Sequence, residues 1–231
     1  MNYAIIAAGQ GSRLKQEGIE KPKPLVELNG EPLIARIIRI FSQNNAESIN
    51  VIVNEEMLEV RNFLKNIKVD CELNIVVKTT ESSLHSFYEL SKVMRKGAFC
   101  LATVDTVFRE DEFSEYIKVF EQDVYNDGVM LVTPFVDDEK PLYVEVDKEM
   151  FIKSFLDNGD TKYVSGGVYA LKGEAFKVLD DCMNRGVSRM RNFQRALLEA
   201  GLRLKAFSIN KVVDVDHASD VQEAERLLRG E

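Results

Sequence analysis

The stretch Tyr3-Ala4-Ile5-Ile6-Ala7-Ala8-Gly9-Gln10-Gly11-Ser12-Arg13 decides how this chain folds, because a short apolar run breaks directly into a glycine turn. The run has the length of a buried strand. Glycine lacks a Cβ and tolerates positive φ, so the turn lets backbone N–H groups approach an anion closely. Arg13, together with Lys23 in the following Lys21-Pro22-Lys23-Pro24-Leu25, adds positive charge. The sequence therefore predicts a strand followed by a phosphate-binding loop.

Strand-length apolar segments alternate with segments of helical spacing along the first half of the chain. The predicted strands are 3–8, 49–53, 73–77, 98–103 and 129–135, and the predicted helices are 32–42, 55–67, 83–95 and 112–122. Such alternation is typical of a mostly parallel sheet covered on both faces. Sheets of this kind bind ligands at the carboxyl ends of their strands.

The second half is less regular. It has predicted strands at 142–146, 163–171, 203–209 and 211–215, and predicted helices at 174–183, 188–200 and 218–228. The sequence contains no repeat and no low-complexity linker. We therefore expect residues 1–231 to form a single α/β domain, with a doubly wound, mostly parallel mixed sheet of Rossmann-like architecture.

Composition narrows the classes of partner. Among 231 residues, 45% are hydrophobic and 29% charged, as in ordinary globular proteins, and the net charge is −8. This balance argues against nucleic acid or a membrane surface as the main partner. Cys71, Cys100 and Cys182 form no C-x-x-C pair, and the sequence shows no membrane span or signal h-region. We expect a cytoplasmic location, and the oligomeric state stays open, a homo-oligomer included.

The glycine turn has rivals that the neighbouring residues exclude. A Walker A loop needs G-x-x-x-x-G-K-[ST], which is missing, and a dinucleotide fingerprint needs a third glycine where this chain has Leu14. Ala7 to Leu14 instead resembles A-A-G-x-G-[ST]-R-L, and Pro22-Lys23-Pro24-Leu25 and Gly30-x-Pro32-Leu33-Ile34 resemble P-K-P-L and G-x-P-L-I. These motifs are similar to those of nucleotidyltransferases, which include NDP-sugar pyrophosphorylases, phosphocholine cytidylyltransferases and molybdenum-cofactor guanylyltransferases.

The resemblance implies a set of nucleotide-binding residues in the loop. It assigns catalytic roles to Arg13 and Lys23, with Lys23 near the α-phosphate, and nucleotide binding to Ala8, Gly9, Gly11 and Ser12. The chemistry fits, because nucleotidyl transfer needs aligned reactants and neutralised phosphate charge more than covalent help. Lys15 and Lys21 are better explained as a solvated basic loop.

The resemblance also implies a Mg²⁺ site. Asp105, after a predicted strand, stands where the family has a metal-binding aspartate in G-D-[TS], with Val104 replacing the glycine. Asp214 and Asp216 match a second acidic element near the C-terminus. Two residues apart on a strand, they point to one face and could both reach a cation with Asp105. Asp214 is the first choice for the second ligand, Asp216 is close behind, and the choice between them stays open. Oxygen ligands of this kind suit Mg²⁺, whereas Asp220 fits the start of a helix.

The residues that bind the nucleotide base and the acceptor are less clearly indicated by the sequence. Ser82 and Ser83 resemble the family's base-contacting pair, although either serine could equally be a helix N-cap. The Gly166-Gly167 pair suggests a bulge or close approach to a ligand on the acceptor side. Lys153 stands where relatives carry a lysine for the acceptor phosphate, in a poorly matched context. A basic run from Arg185 to Arg195 fits a solvated helix face, an anionic acceptor or a partner surface.

Together these features predict a Mg²⁺-dependent nucleotidyltransferase. The expected substrates are a nucleoside triphosphate and a small phosphorylated acceptor, with a sugar 1-phosphate as first choice and an alcohol phosphate such as phosphocholine as the alternative. Two other classes remain open. A nucleotide-dependent glycosyltransferase would release no pyrophosphate, and a non-catalytic nucleotide sensor would not respond to Mg²⁺.

Overall fold

A computed structural model describes residues 1–136 and 139–231. Its strands are β1 (Asn2–Ala7), β2 (Glu27–Leu28), β3 (Glu31–Pro32), β4 (Ser48–Val53), β5 (Glu72–Val77), β6 (Phe99–Thr103), β7 (Thr106–Val107), β8 (Gly128–Thr133), β9 (Tyr143–Val146), β10 (Ile152–Leu156), β11 (Tyr163–Leu171), β12 (Leu204–Ser208) and β13 (Val213–Asp214). Its helices are α1 (Ser12–Gln16), α2 (Leu33–Gln43), α3 (Leu58–Asn66), α4 (Ser83–Ser91), α5 (Glu110–Gln122), α6 (Ala175–Asn184), α7 (Met190–Glu199) and α8 (Ala218–Arg229).

Strand β1 lies in the middle of the sheet and runs parallel to both of its neighbours, β4 and β6. Tyr3 and Ile5 pack into the core on one face, and Ala4 and Ile6 pack into the core on the other. A strand covered on both faces needs apolar residues at every position, which explains the continuous apolar run in the sequence.

Nine strands form one mixed sheet, in the order β10-β9-β11-β6-β1-β4-β5, with β8 pairing to β11 and to β12. The strands β6, β1, β4 and β5 are parallel, and so are β8 and β12. Strand β11 is antiparallel to β6, β8 and β9. The predicted α/β class, with a doubly wound and largely parallel mixed sheet, is confirmed.

Helices cover both faces of the sheet. The core on one face takes side chains from α2, α3, α5 and α8, and the core on the other face takes them from α4, α6 and α7. Stacked aromatic rings connect the sheet to the helices. The ring centroids of Tyr3 in β1 and Phe41 in α2, for example, lie 4.3 Å apart. The carboxyl ends of β1 and β6 stay open, which leaves the ligand edge accessible.

The shortest elements depart most from the sequence expectations. The strand expected at 211–215 is reduced to the two residues of β13, which pairs with β7, a strand that was not predicted. The helix expected from 55 begins at Leu58, because Asn54 Oδ1 accepts a hydrogen bond from the Glu56 N–H at 2.8 Å in a turn. Two-residue strands carry no periodicity, so a sequence pattern cannot reveal them.

The longest described helix, α5, has 13 residues. Within residues 1–136 and 139–231, the helices lack the combined length and apolar character that crossing a membrane requires. Cys71, Cys100 and Cys182 are all free thiols.

Candidate active site

The turn after β1 forms one wall of a cleft. Gly11 has a φ of 62°, in the left-handed region. A Cβ on Gly11 would also lie 2.9 Å from the Cβ of Lys23. Glycine is required at this position on both counts. Because Gly11 has no side chain, the 3-10 turn Lys23–Leu25 can pack directly against the loop.

Lys23 is a buried lysine whose ammonium lies between two carboxylates. Only 8% of its side chain is exposed. Its Nζ donates to Asp105 and, at 2.6 Å, to Asp216 Oδ1. Burial acts to lower the pKa of Lys23, but the negative charges of Asp105 and Asp216 outweigh it and raise the pKa. Lys23 is therefore a protonated, fixed point charge inside the cleft.

The carboxylates come from segments that are distant in sequence. Asp105 follows β6, and Asp214 lies on β13 directly opposite Thr106 of β7. The Val215 N–H donates to the Asp105 carbonyl at 3.1 Å and fixes the two segments side by side. Asp216 lies beyond β13, where its own N–H donates to Asp220 Oδ2 at 2.9 Å. Pairing of β7 with β13 thus assembles the acidic cluster.

The pKa values of Asp105 and Asp214 are shifted in opposite directions. Burial acts to raise the pKa of Asp105, but the charge and the hydrogen bond of Lys23 outweigh burial and lower it. Asp214 is exposed and lines the smaller cavity beside the cleft, yet the surrounding protein removes much of its solvation. This desolvation and the charge of Asp105 raise the pKa of Asp214 to about 7. Near pH 7 Asp105 is therefore ionised, whereas Asp214 carries only part of a negative charge.

Asp216 is the acidic residue of the cluster that two cations engage, namely Lys23 and Arg13. Strand β13 ends at Asp214 and the chain turns before Asp216, so the two aspartates do not share one strand face. Within the described part of the chain, no three His, Cys, Asp or Glu side chains are grouped so that they could hold a metal ion. The expectation that Asp214 and Asp216 both reach one cation with Asp105 stays a prediction.

Arg13 lies where two cavities meet. Its guanidinium pairs with Asp216 at 3.3 Å and with Glu139 at 3.6 Å, and 51% of its side chain is exposed. Arg13 and Asp216 line both the larger cleft and a smaller adjoining cavity. A ligand in either cavity would meet the same guanidinium.

The larger cleft has a volume of about 580 Å³, which is within the usual range for small-molecule sites. Lys23, Arg13 and Asp105 line it. Also in its lining are all the residues that the sequence predicts to bind nucleotide, namely Ala8, Gly9, Gly11, Ser12, Ser82 and Ser83. The structure brings this set together, and its binding of nucleotide stays a prediction.

The far end of the larger cleft is built from hydroxyl groups. Ser82 Oγ lies 2.9 Å from His85 Nδ1 and accepts a hydrogen bond from the Arg189 N–H at 3.3 Å. Ser82 is the N-cap residue of α4, but its side chain makes no capping hydrogen bond. Its hydroxyl therefore joins this loop to the start of α7.

The smaller cavity is lined by Arg13, Thr133, Phe135, Ser165, Asp214 and Asp216, among others. The Gly166-Gly167 pair lies next to Ser165 but outside this lining. The register of β11 against β8 shifts between Ser165 and Tyr169, and Gly167 has a φ of 72°. The predicted bulge is present, and the group that approaches Gly167 is the Thr106 hydroxyl of the protein.

Two basic features of the sequence lie away from the cleft. Lys153 is on β10, pairs with Asp147 at 2.9 Å, and lines neither cavity. The structure does not bring Lys153 to the site, because β10 is at the outer edge of the sheet. Arg191 and Arg195 both pair with Asp157, at 2.8 and 2.9 Å, so this single carboxylate offsets about half of their positive charge.

Residues 3–154 match the sequence profile of the MobA-like NTP transferase domain. The chain belongs to this family. It is 27% identical over 232 residues to the bifunctional IPC transferase and DIPP synthase of Thermococcus kodakarensis, covering 97% of this chain and 50% of that protein. A shorter match, 30% identical over 66 residues, links 29% of this chain to 26% of the glucose-1-phosphate cytidylyltransferase of Salmonella typhimurium.

Among solved structures, the inositol-1-phosphate CTP transferase from T. maritima is similar with a TM-score of 0.81 and 18% identity, over 98% of this chain and 95% of that one. The chain spans about half the length of the curated relatives that it matches along most of its own length. Membership of the MobA-like NTP transferase family confirms the resemblance in the motifs and places the chain among nucleotidyltransferases. The structural likeness confirms the fold.

Several contacts of this NTP transferase domain have no counterpart in the sequence expectations. Glu17 accepts hydrogen bonds at 2.6 Å from His217 Nδ1 and from the Ala218 N–H, which ties α1 to the start of α8. The hydroxyls of Thr103 and Thr106 lie 2.6 Å apart beside the carboxylates. Thr103 and Thr106 lie on either side of Asp105 in the sequence. This position was the one sequence feature that could have indicated their contact with the carboxylates. No local signal marks Glu17.

Proposed function

We propose that the chain is a Mg²⁺-dependent nucleotidyltransferase that joins a nucleoside triphosphate to a phosphorylated acceptor and releases pyrophosphate. The observation that carries the proposal is the meeting of two cavities at Arg13 and Asp216, with Lys23 in the larger and Asp214 in the smaller. Two anionic reactants, one in each cavity, would meet over this cluster of charges.

The reaction needs no general base from the protein. An acceptor phosphate oxygen attacks the α-phosphorus in line, the bond to the oxygen that bridges the α- and β-phosphates breaks, and pyrophosphate leaves with the electron pair. The second pKa of a phosphate monoester is about 6, so the nucleophile is already ionised near neutral pH. The protein's task is alignment and neutralisation of charge.

Lys23 and Arg13 supply the positive charge. Lys23 is a compact ammonium with three donors, two of which are held by Asp105 and Asp216. We assign Lys23 to the α-phosphate oxygens, where charge develops. Arg13 offers a planar fork suited to phosphate, and we assign it, with the loop residues Gly9 to Ser12, to the triphosphate.

Mg²⁺ fits the remaining donors if the substrate completes its coordination shell. The negative charge of Asp105 contributes to the raised pKa of Asp214, so the two carboxylates lie near each other. Mg²⁺ usually takes one or two carboxylates, with waters and substrate phosphates filling its other positions. We therefore name Asp105 and Asp214 as the ligands and Asp216 as a counter-ion of Lys23 and Arg13. A bound Mg²⁺ would neutralise charge on the phosphate oxygens.

We further propose that residues 1–231 work as one domain. The family match ends at residue 154, yet Asp214 and Asp216 lie beyond it and reach Asp105, Lys23 and Arg13. Strand β12, also from the last part of the chain, pairs with β8 in the same sheet. The C-terminal third is thereby part of the active site.

A sugar 1-phosphate is the first acceptor proposed, and an alcohol phosphate is the alternative. The names of the glucose-1-phosphate cytidylyltransferase and the inositol-1-phosphate CTP transferase support a phosphorylated sugar or polyol, and CTP as the first nucleotide to try. No contact in the described cavity distinguishes these two classes of acceptor.

The test is pyrophosphate release across the four common ribonucleoside triphosphates and dTTP, each paired with a panel of sugar 1-phosphates and alcohol phosphates. We expect release with one nucleotide and one class of acceptor, dependent on Mg²⁺ and abolished by EDTA. Omission of the acceptor serves as the control. Absence of pyrophosphate from every pair, together with glycosyl transfer from an NDP-sugar, would overturn the proposal.

A further inference from the structure

We propose that Thr103 and Thr106 form a hydroxyl bridge that positions Asp105 and Asp214 for the cation. This inference rests on the proposed Mg²⁺-dependent function. Both threonines are positioning residues, because they reach the proposed ligands and leave the reacting atoms to other side chains.

The bridge is a continuous chain of contacts between the two carboxylates. Thr103 Oγ1 and Thr106 Oγ1 lie 2.6 Å apart. Thr106 lies directly opposite Asp214 in the pairing of β7 with β13. The Thr103 hydroxyl acts to lower the pKa of Asp105, and the Thr106 hydroxyl acts to lower the pKa of Asp214, as expected of neighbouring hydrogen-bond donors. Two side chains from distant parts of the sequence are thereby joined through two hydroxyl groups.

Counting hydrogens shows that the two carboxylates are coupled. Each hydroxyl carries one hydrogen and can accept others. While both carboxylates are ionised and accept only, two hydroxyl hydrogens can fill only two of the three contacts, so the direction in which Thr103 donates limits the direction in which Thr106 can donate. The orientation of one carboxylate is therefore felt by the other.

The surrounding backbone fixes Thr106 in place. The side chain is β-branched and therefore stiff at χ1, and the residue is 2% exposed. The register of β7 with β13 sets Thr106 opposite Asp214. A Cβ on Gly167 would lie 2.9 Å from Thr106 Oγ1. Glycine at 167, with its φ of 72°, leaves the room that the hydroxyl occupies.

Groups that hydrogen-bond to metal ligands orient those ligands and so strengthen the binding of the metal. Their removal typically weakens metal binding by about 10- to 100-fold. Thr103 and Thr106 have this position relative to Asp105 and Asp214, and their hydroxyls can be removed with almost no change of side-chain shape.

The test compares Thr106→Val, which removes the hydroxyl, with Thr106→Ser, which keeps it. Binding of Mn²⁺ to the protein in the presence of a non-reactive nucleoside triphosphate analogue is followed by electron paramagnetic resonance, with Mg²⁺ as competitor. We expect Thr106→Val to weaken binding by about 10- to 100-fold, and Thr106→Ser to stay near wild type. Circular dichroism and thermal unfolding report on folding.

If Thr106→Val fails to fold, the comparison of Thr103→Val with Thr103→Ser tests the hydroxyl bridge instead. Metal binding by a folded valine variant at wild-type strength overturns the bridge and leaves the proposed function intact. Equal weakening by valine and serine also overturns it, because the methyl group and not the hydroxyl would then be responsible. A wild-type protein that binds no metal, and whose turnover resists EDTA, overturns the metal part of the proposed function itself.

Discussion

The two ends of the larger cleft are organised by different forces. At one end, Lys23 is clamped between Asp105 and Asp216 by full charges. At the other end, the Ser82 hydroxyl is held by His85 and by the backbone of Arg189, both through ordinary hydrogen bonds. The charged end can respond to charge that develops during a reaction, whereas the hydroxyl end can only hold a shape.

The difference predicts effects of unequal size. Charge-assisted hydrogen bonds are roughly twice as strong as neutral ones, and removal of a group that stabilises developing charge costs about 10²- to 10³-fold in turnover. A neutral hydrogen bond contributes about 1 kcal/mol net. Substitutions at the charged end should therefore change kcat, and those at the hydroxyl end should change KM.

The largest effect is expected from Lys23→Ala. Loss of the ammonium removes the charge assigned to the α-phosphate, so kcat for pyrophosphate release should fall by about 10²- to 10³-fold. Lys21→Ala is the matched control, because Lys21 is exposed and pairs with Glu27 at 2.6 Å. Lys21→Ala should keep wild-type turnover. Unchanged turnover in a folded Lys23→Ala protein would remove Lys23 from the mechanism.

The next effect concerns stability without metal and has a definite sign. Asp214 has a pKa of about 7 in the folded chain, against about 3.9 for an ordinary aspartate. Between these values the folded state binds more protons than the unfolded state, so the free energy of unfolding falls as pH rises. Asp214→Asn cannot ionise, and should be more stable than wild type at pH 8 in EDTA.

The gain should be roughly 1 kcal/mol, since Asp214 is exposed and solvent screens its charge in part. At pH 5, where Asp214 is protonated in the folded state but ionised in the unfolded state, the difference between the two proteins should shrink to about a third of its value at pH 8. Asp180→Asn, at an exposed position of α6, is the control for the loss of a carboxylate charge. A variant less stable than wild type at pH 8 would contradict the assigned repulsion between Asp105 and Asp214.

Sequence motifs predicted which residues lie at the charged end, but not which contacts those residues make. Lys23 lies in a recognisable motif and Asp105 follows a strand, so both could be placed at the ligand edge. The arrangement of the acidic residues could not be predicted, because it depends on the pairing of two strands of two residues each. Gly167 did signal a close approach, but sequence could not show that the approaching group is the Thr106 hydroxyl.

The hydroxyl end was predicted less completely for a related reason. Ser82 was expected at the base or as an N-cap, and the structure gives its hydroxyl two partners, His85 and Arg189. The Arg189 contact spans 107 positions of sequence, so no local pattern encodes it. Lys153 was assigned by position alone, and the edge strand on which it lies was not predicted.

The smallest effect is expected from Ser82→Ala. This change removes two neutral hydrogen bonds and frees the loop that lines the far end of the cleft. At about 0.5 kcal/mol each, the lower end for such bonds, KM for the nucleotide should rise roughly fivefold. Turnover at saturating nucleotide should stay near wild type, because the charged end is untouched. Ser82→Thr keeps the hydroxyl and should keep most of the affinity. A fall in kcat comparable to that of Lys23→Ala would show that the hydroxyl end also acts on the reacting phosphates, and the division of the cleft into two functional ends would then be wrong.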